Sequence, residues 1–175
     1  MAQQTIEAKK EYLIKYNDVM GHISVIESML DIDSSGQGEV FRKHIYGGLS
    51  EAVKKYRGGM LPFEKTYKDR TEKIEEIVNK ELVKDNELLS GDAECTELNK
   101  LLNEAIKDMN DYLEDTTNPT GTYYTYAESS SEKSKKLKQS YSDMETKFKY
   151  ILESNGMTLK DVKEQDNNGK TQTNK

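Results

Sequence analysis

Apolar residues along this chain recur at alternating steps of three and four, the spacing that gathers side chains on one face of a helix. Tyr12, Tyr16, Val19, Ile23, Ile26 and Leu30 form one such seam and predict a helix over residues 4–30. Phe41, Ile45, Leu49, Ala52, Tyr56, Met60, Phe63, Tyr67, Ile74 and Ile77 form a longer one, predicting a helix over 40–82. Gly47-Gly48, Gly58-Gly59 and Pro62 interrupt it, and the stripe resumes nearly in phase. A kink near Pro62 is therefore expected, since proline lacks a backbone donor and crowds the preceding turn. Cys95, Leu98, Leu102, Ala105, Met109 and Tyr112 predict a third helix over 93–113, with Cys95 on the core face. Leu137, Tyr141, Met144, Phe148 and Ile151 mark the packing half of a fourth, over 127–154.

The intervals are rich in turn formers. Asp31-Ile32-Asp33-Ser34-Ser35-Gly36-Gln37-Gly38 reads as a turn that folds the second helix back on the first. Gly21, inside the first seam, is expected where a neighbouring helix packs closely. Glu114 to Tyr126 reads as a loop, with Tyr123, Tyr124 and Tyr126 covering the end of the bundle. Asn155-Gly156 reads as a helix stop, with Thr158 and Asp161 capping one last turn and a polar, disordered tail over 163–175. The expected architecture is all-α: an elongated antiparallel helical hairpin over 4–82, extended to a four-helix bundle within one domain over 1–156.

Composition makes that bundle thin. Only 34% of residues are hydrophobic and 33% are charged, against roughly 45–50% apolar in ordinary globular chains on a slightly different count. A thin core leaves seams that another helical surface completes. Tyr12, Tyr16, Val19, Ile23, Ile26, Phe41, Ile45, Phe63 and Tyr67 are accordingly the candidate partner-binding residues. The net charge of -6 argues against nucleic acid, which favours basic surfaces. The one basic cluster, Lys133, Lys135, Lys136 and Lys138, reads as a solvated helix face. No apolar run reaches the roughly 20 residues of a membrane-spanning helix. The first residues do not form a charged-then-apolar leader. The expectation is a protein that is cytoplasmic before export and leaves, if at all, without a classical signal peptide.

Candidate chemistry is sparse. Asp31-x-Asp33-x-Ser35-Gly36 matches the start of a calcium-binding helix–loop–helix. It fails where the loop needs an apolar eighth residue, at Gly38, and a bidentate glutamate at the twelfth, at Arg42. His22 and His44 flank that turn at similar distance but lack metal-ligand spacing with Cys95. No phosphate loop, serine elbow or paired Cys and His is present. The reading is a non-enzymatic chain with no cofactor and no metal.

One resemblance adds to this. Ile26-Glu27-Ser28-Met29-Leu30, a Gly-bearing turn at Gly36 and Gly38, Phe41-Arg42-Lys43-His44-Ile45 and Met60-Leu61-Pro62 in a long helix resemble the amino-terminal helical module of LXG-type proteins. The stretch from Leu137 to Asn155 resembles that module's last helix, and the outline is similar to the small WXG-type hairpins. Both kinds belong to type VII secretion systems of Gram-positive bacteria. The chain has no Trp, so the Trp-x-Gly turn has no counterpart. Tyr141-Ser142-Asp143-Met144-Glu145 fits the Tyr-x-x-x-acid export pattern, a short match that a Tyr- and acid-rich chain makes by chance. The resemblance implies a secretion-associated helical partner or adaptor that pairs with a secreted protein or with itself. The other class is a self-sufficient structural or phage-type helical protein with no secretion role.

Overall fold

The computed structural model describes residues 2–43, 61 and 63–163. These are helical with no strand among them, so the all-α fold class holds. The elements are α1 (Ala2–Lys43), α2 (Glu64–Glu76), a π-helical segment (Ile77–Leu82), α3 (Val83–Leu88), α4 (Ala93–Thr117), α5 (Tyr123–Ser154) and α6 (Leu159–Lys163).

Cross-helix bonds fix their directions. Asp33 meets Tyr67, His22 meets Arg70 and Lys15 meets Asp85, so α1 and the α2–α3 arm run antiparallel. Tyr16 meets Leu98 and Asp31 meets Tyr112, so α1 and α4 run parallel. Ser34 meets Ser130 while the Tyr16 ring stacks on Phe148, which makes α5 antiparallel to α1. The seam of α1 thus lies among three helical arms of its own chain.

The largest departure from the sequence pattern is that α1 does not stop at Leu30. It runs through the expected turn at 31–38 and on to Lys43, 42 residues in all. Asp and Ser favour turns because their side chains compete for nearby backbone groups. Here Asp31, Asp33 and Ser34 are instead bonded to side chains from other helices. The EF-hand-like stretch is therefore helix rather than loop, and His22 does not flank a turn. The first part of the expected 40–82 helix belongs to α1. Ile45, His44, Gly58 and Pro62 lie outside the described residues. At the other side of that gap the chain is non-helical at Leu61 and turns at Phe63. The Leu61 N–H donates to Glu64 Oε2 (3.2 Å), so α2 starts afresh at Glu64 rather than continuing through a kink.

Downstream, the boundaries follow local chemistry. Ile74, Ile77, Leu82 and Asp85 are buried, and the five-residue step from Ile77 to Leu82 matches the wider i→i+5 turn of the π segment. Gly91 adopts φ 94°, a conformation cheap only for glycine. Asp92 then caps α4, its Oδ1 accepting from the Glu94 and Cys95 N–H groups at 3.0 Å. The loop expected over 114–126 shrinks, because α4 extends to Thr117 and α5 begins at Tyr123. Thr116 and Thr117 return their hydroxyls to carbonyls one turn back, and Thr122 with Thr125 forms a capping box. The stop at Asn155-Gly156 is as expected, with Gly156 at φ 68°. So is the Thr158–Asp161 cap, whose Thr158 N–H donates to Asp161 Oδ2 at 2.7 Å. On α2, Glu64 accepts from the Leu61 N–H and Glu76 pairs with Lys73 at 2.9 Å.

Candidate functional site

The nine residues expected to bind a partner are placed unequally. Tyr12, Tyr16, Val19, Ile23 and Ile26 are each 0% exposed in the chain's own core, and Phe41 and Tyr67 are also buried. Phe63 is half-buried against that core. Ile45 lies outside the described residues. The seams are closed by helices of the same chain, so in this conformation they offer no surface to another. The physical reason is that α4 and α5 supply their own stripes: Leu98, Leu102, Ala105, Met109, Leu137, Met144 and Phe148 are all buried with α1. Gly21 is corrected too. A Cβ there meets nothing within 4 Å. It lies on a groove of about 290 Å³ with Met20, Ser24, Tyr141 and Leu159.

What the sequence did not reveal is a buried polar layer where four helices meet. It begins with Asp31 and Asp33 on α1. Asp31 Oδ1 accepts from the Tyr112 hydroxyl (3.0 Å) and the Ser134 hydroxyl (2.8 Å), while Oδ2 takes the Lys138 ammonium at 2.6 Å. Burial works against its charge, but these hydrogen bonds and the Lys138 charge hold its carboxyl below the usual range. Lys138 is thus an interhelical tie, as is Lys133 to Asp115 at 3.3 Å, and not only part of a solvated face. Asp33 is fully buried and its Oδ2 accepts from the Tyr67 hydroxyl of α2 at 2.7 Å.

One turn further along α1, Gln37 reaches across to the carboxyl end of α4. Its Nε2 donates to the Thr116 carbonyl at 2.8 Å, one of the terminal carbonyls a helix cannot satisfy itself. The same Nε2 donates to the Tyr126 hydroxyl (3.0 Å), which donates to Ser34 Oγ (3.2 Å). Ser34 and Ser130 share a short hydroxyl contact. Phe41 packs edge-on against the Tyr126 ring, centroids 4.9 Å apart. Of the three expected end-cover tyrosines, Tyr126 is thus a core member, Tyr123 is half-buried beside it, and Tyr124 is exposed.

Burial pushes the Tyr112 and Tyr126 hydroxyls upward, so both remain protonated donors at neutral pH. Their chemistry here is to tie helices. A slip of one helical turn, about 5.4 Å, breaks these bonds together, which makes the layer a register lock.

A second knot closes the opposite end. Lys9 Nζ lies 2.9 Å from Asp92 Oδ2 and 2.5 Å from Glu94 Oε2, and Glu94 also accepts from Ser154 and Asn155. Nearby, the Tyr12 hydroxyl donates to Asn99 Oδ1 (2.8 Å) and the Tyr16 hydroxyl to the Leu98 carbonyl (2.9 Å). Cys95 is buried as expected, and burial pushes its thiol up to about 12. Among the described residues, no three or more His, Cys, Asp and Glu gather as metal ligands, and no helix is long and apolar enough to cross a membrane. No family model, curated protein or solved structure matches the chain.

Proposed function

We propose that the chain is a non-enzymatic helical interaction protein that works as a finished bundle and meets a protein partner through its outer helix faces. The observation that carries this is the closure of the α1 seam by the chain's own α2, α4 and α5. The apolar stripes stabilise the bundle and do not await a second coil. The apolar groups left outside include Ile32 on α1, Tyr124 and Tyr150 on α5, and Leu88 at the end of α3. Tyrosine is enriched at protein interfaces, which favours the two exposed α5 rings as contact points. A groove of about 500 Å³ beside Tyr150 is lined by Glu97, Leu101 and Lys147.

The partner is a helical secreted protein of a type VII system, and the protein is its secretion-associated adaptor. Support for this part is the sequence resemblance to the LXG-type module in the remaining matched stretches, above all Leu137 to Asn155 on the 32-residue α5. The Gly-bearing turn that the resemblance also drew on is helix here. The second reading is a self-sufficient structural helical protein with no secretion role. The sealed seam favours it equally.

Co-expression with the products of neighbouring genes separates the two. A co-purifying helical partner that is lost on the double substitution Tyr124→Ser and Tyr150→Ser supports the adaptor. A chain that remains monomeric and captures none of them refutes it and leaves the structural reading.

A further inference from the structure

We propose that His22 is a proton-sensitive clasp between α1 and α2, closed when its imidazole is neutral and opened by mild acid. His22 sits on α1 with its side chain 18% exposed. Its Nδ1 lies 3.0 Å from Nη1 of Arg70 on α2. A guanidinium carries only donors, so Arg70 donates and Nδ1 is the bare, accepting nitrogen. The ring hydrogen is therefore on Nε2, which faces Asp18 Oδ1 one turn away on the same helix at 3.6 Å. The hydrogen bond holding the two helices at this point exists only for one tautomer of the neutral ring.

Protonating Nδ1 sets donor against donor and cation against cation across 3.0 Å. Three charged groups act on the ring. Arg70 and Lys73 on α2 oppose protonation, while Asp18 on α1 favours it. Asp18 is about half exposed, so solvent screens it, and Lys73 is already paired with Glu76. Burial is the largest influence and also disfavours the charged ring, so His22 titrates below its ordinary value. Folding therefore releases the proton that the unfolded chain holds, and the contact strengthens as pH rises. Its contribution is complete above the ordinary histidine value of about 6.5 and is lost as pH falls through the folded one.

What acid loosens is the arm carrying Tyr67, Ile74 and Ile77, which share a core with Ile23 and Ile26. The clasp thus gates the very seam that the neutral bundle keeps closed.

The test uses the full chain. Imidazole NMR assigns the tautomer and midpoint of His22, with His44→Gln removing the second histidine signal. Amide exchange over residues 64–76 is compared at pH 7.5 and at one pH unit below the measured His22 midpoint, after correction for intrinsic rates. The expected result is an Nε2–H tautomer, a midpoint below 6.5 and a loss of protection at the lower pH. That loss persists in His44→Gln and vanishes in His22→Gln, whose amide oxygen accepts from Arg70 at either pH. Arg70→Met raises the His22 midpoint. An Nδ1–H tautomer at pH 7.5, a midpoint at or above 6.5, or the same loss of protection in His22→Gln overturns the proposal.

Discussion

Gly38→Ala decides whether α1 truly runs through the stretch that looks like a turn. In the helix, Gly38 is not among the described glycines with positive φ, and a Cβ added to it meets nothing within 4 Å. Alanine then gains the helix-propensity difference of about 0.8–1 kcal/mol with no steric loss, part of it by restricting the unfolded chain. In a protein of 150–250 residues about 1 kcal/mol moves Tm by roughly 2–4 °C. Gly21→Ala meets the same open space and is about 25 Å away along the helix. The two effects should therefore add, to roughly 2 kcal/mol. Gly91→Ala is the control of opposite sign. At φ 94° a side chain enters the left-handed region at about 1–2 kcal/mol. Urea unfolding followed by circular dichroism at 222 nm compares the three single variants and the Gly21→Ala/Gly38→Ala double variant with the parent chain. If Gly38→Ala destabilises as Gly91→Ala does, residues 31–38 form a turn and the continuous α1 is wrong.

Tyr67→Phe removes a hydroxyl donated to the buried Asp33 side chain. Urea unfolding should show a loss of about 1 kcal/mol, and a change within error refutes the contact. At the other end, the Lys9 hydrogen bond is the largest influence keeping the Glu94 carboxyl below its usual range. That stabilisation is present above the unfolded carboxylate value near ~4.3 and disappears as pH falls through the folded one. Lys9→Met should therefore lose stability at pH 7 but much less at pH 3, and an equal loss at both would rule out the charge pairing. Cys95, buried and with its thiol pushed up to about 12, should resist a disulfide exchange reagent in the native state and react on unfolding in urea. Rapid native reaction contradicts its burial.

The seams were legible because periodicity is local: each of Tyr12 to Leu30 announces its face through neighbours three and four residues away. The helical state of Asp31–Gly38 was not, because the groups that overrule its turn chemistry lie far off in the chain. Asp33 needs Tyr67, Ser34 needs Ser130, and Gln37 needs Thr116. The same distance hid the polar layer. Nothing in the spacing of Asp31, Tyr112 and Lys138 signals that they converge. The burial of Tyr12, Tyr16, Val19, Ile23, Ile26, Phe41 and Tyr67 inside the chain was hidden for a related reason. A low apolar content implied an unfinished core, yet three partner helices with narrow stripes suffice to cover one 42-residue seam. The stop at Asn155-Gly156 and the Thr158–Asp161 cap were readable because glycine conformation and capping are properties of a few adjacent residues.

The wide turn at Ile77–Leu82 makes the protein forgiving of a change in length at one place. Asn79 faces solvent within it. Deleting Asn79 would bring Ile77 and Leu82 four apart, an interval an ordinary helix already aligns. Everything beyond, beginning with the Lys15–Asp85 pair, would keep its phase. A one-residue excision there should leave a cooperative melt, whereas the same cut between Tyr67 and Ile74 would rotate the following side chains by about 100° and abolish it.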